Sequence, residues 1–514
     1  MLVTGMRLVV VLVVVAVVLV ACSQDVSRTR IGAFADERCE FDDMVGGQVE
    51  PGAKEPLVLP RKKAWEATFG GQEGARPHVR ARLAGWPQQL VAARPPHQES
   101  DREFVTRVAR DTWRGLSAFV DRDHRLPVDH VQLGADPRVG DYTNITTVGL
   151  RMIAIVAARE LALISDAEAL AELRALFTTL DRLETHAGFF FNYYDTTSLE
   201  RSSNLVSFVD SSWLTAGLMV VRATFPELHA ITTRLIDAQD YRFFYDSAEQ
   251  RMSHGYYVHL RSRSLFHYGV LYAESRLGSL IAIGKGEVPA QHWFRMVRTF
   301  PPGCRWQAGQ PVGRRSKEVR GHAFLGGWYE WGGVRFVPSW GGSAFEALMP
   351  TLVLDEPRLA PASLGANALA HASVQRRYAL ETLGYPVWGM SPSAAPAGAG
   401  YGEYGVRVLG SLGYPPGVVT PHASALALVV TPEQAIANLR RLAARYDIYG
   451  DFGFYDAVDP VRGDVVRAYL ALDQSMILIA AANYLTNGVV QRRFAADPIV
   501  AKVLPLLSAE NFFD

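Results

Sequence analysis

Thr143 to Ile164 is apolar almost all the way round at helical spacing, with Ile145, Val148, Met152, Ile155 and Leu161 spread over its faces. A helix without a polar face cannot lie at a surface. It belongs inside a core built by other elements. That segment therefore asks for a large helical assembly around it, and the chain supplies the helices. From Asp101 onward Phe104, Val108, Trp113, Leu116 and Phe119 recur at near-helical spacing. Ala167 to Leu183 repeats Leu170, Leu173, Leu176, Leu180 and Leu183. Ser211–Ala223, Leu265–Ile283, Ala344–Leu354, Ser363–Leu383, Pro432–Tyr446 and Val465–Leu485 also read as helices.

Long loops rich in glycine and aromatic residues separate these helices. They include Gly188–Asp195, Gly326–Trp340, Tyr401–Gly405 and Tyr449–Asp456, and the alternation in Gly326–Trp340 predicts a β-hairpin. Short polar turns on one side and long aromatic loops on the other predict an all-α toroid with one functional rim. Composition agrees with a single large core. Hydrophobic residues are 49% of the 514, and 52 Lys+Arg balance 52 Asp+Glu. This excludes disorder, and it lacks the basic excess of a nucleic-acid binder.

The N-terminus reads differently. Leu8 to Ala21 is an apolar run after one positive charge, and it ends Leu19-Val20-Ala21-Cys22-Ser23. It has the length of a signal-peptide core and is short for a membrane span. Residues 1–21 are therefore expected to be a lipoprotein signal, with Cys22 lipidated. The expected location is the outer membrane, facing the periplasm. Residues 22–100 carry little regular pattern and read as a tether and wrapping extension, and 101–514 as one domain. Cys39 and Cys304 either pair in an oxidising compartment or stay as two free thiols.

Carboxylates inside or beside the aromatic loops carry the chemical signal: Asp141, Asp195, Asp210, Glu274, Glu346, Glu403, Asp456 and Asp473. Glycoside hydrolysis needs two carboxyl groups flanking the bond, one to protonate the leaving oxygen and one to activate water or attack carbon. The proton donor needs a raised pKa, which a half-buried aromatic pocket provides by desolvation. Core aromatics and helix-capping acids would give the same composition. No metal-ligand cluster with recognisable spacing, no phosphate loop and no nucleophile elbow is visible, so no cofactor or metal is expected.

The order of motifs is more specific. Gly188-Phe-Phe-Phe-Asn-Tyr-Tyr-Asp195, Val209-Asp210-Ser211, Tyr272-Ala-Glu274-Ser-Arg276 and Ala282-Ile-Gly-Lys285-Gly286 are followed by Ser339-Trp340-Gly-Gly-Ser343-Ala-Phe-Glu346-Ala-Leu-Met-Pro350. Trp388-Gly-Met-Ser391, Pro421-His422-Ala-Ser424, Tyr449-Gly-Asp-Phe-Gly-Phe-Tyr-Asp456 and Ala471-Leu-Asp473-Gln-Ser-Met476 complete the series. Over residues 140–508 it resembles the glucoamylase-like domain of bacterial cyclic β-1,2-glucan synthases and the endo-β-1,2-glucanases of glycoside hydrolase family 144. Asp141–Ile164 is also similar to the opening of a bacterial domain of unknown function 3131. The resemblance implies an (α/α)6 barrel acting on β-glucan, an oligo- or polysaccharide partner.

By the same resemblance Glu274 is the general acid, against a plain helix glutamate paired with Arg276 or Lys285. Glu346 is implied in binding sugar hydroxyls, or it is an N-terminal helix charge. Asp195 and Asp210 are implied in binding glucose hydroxyls, or they cap loops. Trp340 and Trp388 are stacking residues or core. Tyr194, Glu403 and Asp456 complete the expected binding set. Two positions depart from the synthases. Their Trp-Gly-Ile-Ser-Glu-Ser loses its glutamate to Pro392, which removes the carboxylate of retaining, cyclising chemistry. Their His-His-Gln-Gly-Met becomes Leu472-Asp473-Gln474-Ser475-Met476, which makes Asp473 the expected base of an inverting hydrolysis. The alternatives are a glycan-binding or envelope-assembly lipoprotein without turnover, and an epimerase or lyase leaning on His422 or Tyr404.

Overall fold

The computed structural model describes residues 99–132, 138–396 and 400–514. The expected signal segment, Cys22, Cys39 and nearly all of the tether lie outside the described residues. Cys304 is disulfide-bonded.

Local sequence starts most helices. Ser100 and Glu103 close a capping box over the first turn of α1 (Asp101–Ala118), and Asn144 accepts from the Thr146 N–H to open α2 (Ile145–Glu160). Ser165 and Glu168 cap α3 (Asp166–Leu180) in the same way. The barrel helices that follow are α4 (Phe208–Thr224), α5 (His229–Ala238), α6 (Arg276–Gly284), α7 (Ala344–Leu348) and α8 (Leu364–Arg377). Then come α9 (Pro421–Leu426), α10 (Pro432–Arg445), α11 (Ala471–Thr486), α12 (Val489–Ala495) and α13 (Pro498–Leu507).

Six of them form a closed inner ring. α2 packs on α4, α4 on α6, α7 on α9, α9 on α11, and α11 back on α2. Arg276, the first residue of α6, closes the remaining joint by donating to the Glu346 and Ala347 carbonyls of α7. Each inner helix carries an outer partner: α3 on α2, α5 on α4, α13 on α6, α8 on α7, α10 on α9 and α1 on α11. The result is an (α/α)6 barrel. The helix read as apolar all round is α2, and every residue from Ile145 to Ala158 is buried in the ring.

The tightest joint is α2 against α4. A Cβ on Gly149 would lie 2.7 Å from Leu214 Cα and closer still to the Trp213 carbonyl oxygen. Backbone meets backbone there, so nothing can rotate away. Gly149→Ala is expected to cost about 1–3 kcal/mol by forcing the inner ring apart. Thermal unfolding against wild type checks it, with an unchanged melting temperature as the contrary result.

Short strands form the rim. They are β1 (His130–Gln132), β2 (Tyr142–Asn144), β3 (Tyr193–Asp195), β4 (Leu205–Ser207) and β5 (Gly255–Tyr257). Two consecutive hairpins follow, β6 (Arg315–Val319) with β7 (His322–Gly326), and β8 (Tyr329–Trp331) with β9 (Val334–Phe336). The rim closes with β10 (Ser393–Ala394), β11 (Tyr401–Gly402) and β12 (Ala468–Leu470). These strands pair antiparallel: β1 with β12, β2 with β3, β4 with β5 and β10 with β11. β2, β4 and β12 each run straight into an inner helix. The hairpin expected within 326–340 is β8–β9, turned by Gly332 and Gly333 at φ 55° and 79°.

Several helices are shorter than their periodicity predicts. Leu265–Ile283 contributes helix only from Arg276, because His267–Tyr268 pairs with Met252–Ser253 as strand. Val465–Val466 and Ala468–Leu470 are likewise strands, so α11 begins at Ala471. Ala344–Leu354 tightens into a 3-10 turn at Met349, where Pro350 cannot donate to an α-helical ladder.

Candidate active site

Five of the six inner helices present their N-terminal ends to one cavity of about 570 Å³. Thr146 and Thr147 face it from α2, Asp210 and Trp213 from α4, Glu274 from just ahead of α6, Phe345 from α7, and Leu470 and Leu472 from the start of α11. The rim strands supply His130, Tyr142, Tyr193, Tyr257 and Tyr401, and Asp129 comes from just ahead of β1. The lining thus carries six aromatic rings, those of Tyr142, Tyr193, Trp213, Tyr257, Phe345 and Tyr401, with three carboxylates: Asp129, Asp210 and Glu274. Flat ring faces among a few convergent polar groups suit a ligand with both apolar faces and hydroxyl edges.

Glu274 lies half-buried in the wall. Burial pushes its carboxyl up to about 7 from an ordinary 4.5, and the neighbouring Glu346 charge adds to the rise. Asp210 contributes in the same direction, and Arg276 opposes. A carboxyl group at that value is about half protonated at pH 7 and can donate a proton. Asp210 sits in the first turn of α4, where Thr146 Oγ1 donates to its Oδ1 at 2.7 Å. That bond couples the starts of two adjacent inner helices.

Glu346 is buried and serves the backbone. It accepts from the Gly341 N–H at 3.0 Å, the Ser343 N–H at 3.1 Å and Ser339 Oγ at 2.9 Å, and it closes a capping box with Ser343. Burial nonetheless raises its pKa. It holds the turn before α7 and acts on Glu274 through its charge, and it does not line the cavity. Glu403 accepts from Tyr414 Oη at 3.4 Å, and Tyr414 in turn feels the charges of Glu346 and Glu274.

Asp473 and Asp456 lie behind the cavity wall. Both are 1% exposed, as is His422 on the first turn of α9. His422 Nδ1 lies 3.2 Å from Asp473 Oδ2, outside hydrogen-bonding geometry, and Asp456 Oδ2 accepts from the Ala394 N–H of β10 at 2.7 Å. Burial pushes the Asp473 carboxyl up to about 7 and drives the His422 imidazole down to about 4. Burial and then the Asp473 charge hold Asp456 well above the carboxylate range. Donor atoms of these three side chains lie within 4.8 Å of one another, a cluster that sequence spacing did not reveal.

The other expected site residues lie outside the cavity lining. Asp195 caps its loop, accepting from the Thr197 and Ser198 N–H groups. Tyr194 points into the core, where its hydroxyl donates to the Glu184 carbonyl at 2.5 Å. Trp388 is buried on the α10 side, where its backbone N–H donates to Asn438. Trp340 packs against Trp306 at 5.9 Å. The Asp141 carbonyl accepts from Thr196, a loop contact. Sequence reasoning missed Asp129, Tyr193, Tyr257 and Tyr401. One signal was present: in a strand, adjacent residues face opposite sides. Choosing Tyr194 for the core puts Tyr193 on the cavity side.

Residues 312–498 match the Glycoamylase family model, described as putative glucoamylase. Over that stretch the chain is similar to the glucoamylase family. The matched stretch holds Glu346, His422, Asp456 and Asp473, and the barrel half with Asp210 and Glu274 precedes it. Over 548 aligned residues the chain is 25% identical to the cyclic β-(1,2)-glucan synthase NdvB of Rhizobium meliloti (strain 1021), covering 77% of this chain. It spans only 18% of that relative's length. Among solved structures, the endo-β-1,2-glucanase from Chitinophaga pinensis, in complex with sophorotriose and glucose, superposes with a TM-score of 0.62 and 17% identity. That match covers 80% of this chain and 98% of the other. The β-1,2-glucanase from Parabacteroides distasonis gives 0.64 and 16%, over 80% and 60%. These likenesses agree with the (α/α)6 barrel described above.

Proposed function

We propose that this chain is a glycoside hydrolase acting on β-glucan, with β-1,2-linked glucan as its substrate. The observation that carries the reading is Glu274. It is a proton-donating carboxyl in the wall of an aromatic cavity, with Asp210 on the neighbouring helix start. The activities of the similar glucanases and of the synthase support the substrate class. Glu274 gives its proton to the glycosidic oxygen as the bond from that oxygen to the anomeric carbon breaks. A water forms the new bond to that carbon from the opposite face and passes a proton to Asp210. Both carboxyl groups then hold the reverse protonation state, and the anomeric centre is inverted. Asp473, the base expected from sequence, is 1% exposed and does not line the cavity, so we assign the base to Asp210.

Incubation of the purified chain with linear β-1,2-glucan, followed by proton NMR of the fresh products, is the test. The expected first product carries the α-anomeric signal. Asp210→Asn is expected to lower kcat about 10²–10³-fold with its melting temperature retained. A wild-type protein that releases no product from any β-glucan would overturn the reading. We further propose that Cys22 is lipidated and tethers the enzyme to the envelope, on the strength of the Leu19-Val20-Ala21-Cys22 run. Mass spectrometry of the mature N-terminus tests that.

A further inference from the structure

We propose that His422, Asp456 and Asp473 bind a divalent transition-metal ion, with Zn²⁺ the best match, as a structural joint between α9 and α11. The proposal is independent of the hydrolase reading. Its ground is the unsatisfied polarity of the cluster. Neither ring nitrogen of His422 has a hydrogen-bond partner among the described residues, and apart from the contact of Asp456 and Asp473 with each other no donor reaches either oxygen of Asp473 or Asp456 Oδ1. All three side chains are nine-tenths buried or more. Buried polar atoms of native proteins are otherwise nearly always paired. No lysine or arginine among the described residues neutralises either carboxylate, and burying two carboxylates unpaired is costly.

A cation accounts for these features together. Two carboxylates and one neutral imidazole carry a charge of −2, which a dication cancels. The donor atoms converge within 4.8 Å. A first-row ion about 2.0–2.2 Å from each donor holds them roughly 3–4.4 Å apart, so a small side-chain rotation closes the set. Mixed imidazole and carboxylate donors favour zinc or its neighbours over magnesium and calcium, which take oxygen. Gln474 offers a further acceptor on the same turn. Its Nε2 donates to the Phe454 carbonyl at 3.0 Å, and its Oε1 is buried without a donor. The set joins three separate stretches of chain: the first turn of α9, the loop after Phe454 and the first turn of α11. Binding there would lock the ring at that joint.

The competing account is a proton shared between Asp456 and Asp473. Metal analysis of the purified full chain separates the two. The metal account expects one equivalent of zinc or another first-row divalent ion per chain. Chelator treatment during partial unfolding should strip it and lower the melting temperature, and added Zn²⁺ should restore both. His422→Gln, a neutral-for-neutral change expected to fold, should hold no such ion and show no Zn²⁺-dependent shift. Glu274→Gln should keep the metal. Wild type without stoichiometric metal and without a melting response to Zn²⁺ would overturn the proposal. So would equal metal content in wild type and His422→Gln, which would place the ion at another histidine.

Discussion

Glu274→Gln is expected to lower the turnover of β-1,2-glucan about 10²–10⁴-fold while the protein becomes more stable at alkaline pH. The two effects share one cause. Burial and the Glu346 charge hold the Glu274 carboxyl near 7 in the folded chain, against about 4.5 when exposed. Between those values the folded state keeps a proton that the unfolded state has lost. Stability therefore falls as pH rises through the window from about 4.5 to 7. At one pH unit per 1.36 kcal/mol, the ionised glutamate costs at most on the order of 3 kcal/mol above that window. Glutamine has the shape of the protonated acid but cannot give up the proton. The variant should melt above wild type at pH 8 and close to it at pH 4. The wild-type rate should fall about tenfold per pH unit above pH 7, because the acid must be protonated to act. Reducing-sugar release and thermal melts across pH measure both. A variant with undiminished activity would remove Glu274 from the reaction, and equal melting temperatures at pH 8 would contradict its buried charge.

How much of this was legible in the sequence depends on the range of the interaction. The apolar-all-round α2 was readable from its own residues, and it forced the helical core. The hairpin β8–β9 was readable from Gly332-Gly333 between alternating residues. The motif around Glu274 pointed to a residue that the fold delivers to the cavity, although it sits before the helix and not within it. The rest of the wall was not legible, because it is made by pairings between distant parts of the chain. β1 lies beside β12, with His130 opposite Leu470, and that pairing brings Asp129 to the cavity. No local pattern announces it. Asp195 and Trp388 show the converse. Their motif places them in the right loops, but loop capping by Asp195 and burial of Trp388 took them out of the cavity. Among these residue types, a polar or aromatic residue in a family motif serves the scaffold as readily as the site.

The same reasoning predicts the largest stability effect at Arg276. Its guanidinium is fully buried, and all five N–H groups are used. Nε and Nη2 reach the two Glu356 oxygens at 2.7 and 3.0 Å. Nη1 donates to the Ala273 and Glu346 carbonyls at 3.0 and 3.2 Å, and Nη2 to the Ala347 carbonyl at 2.7 Å. The charge also lies 4.4 Å from the centre of the Tyr272 ring. One side chain thus ties the segment that carries Glu274 to α7 and to Glu356. Arg276→Met leaves the Glu356 carboxylate fully buried without its cation, and breaking such a pair costs about 3–5 kcal/mol. Lysine would not rescue it, since three donors on a point charge cannot replace a planar fork of five. Arg276→Met with Glu356→Leu removes both charges and should recover much of the loss, because apolar replacement of a whole buried pair is often close to neutral. It should not recover activity, since the Ala273, Glu346 and Ala347 carbonyls would still lack their donor and Glu274 would lose its anchor. Melting temperatures of the two single variants and the double variant, read beside turnover, give the answer. If Arg276→Met alone melts within a few degrees of wild type and keeps its rate, the barrel is not closed at this joint.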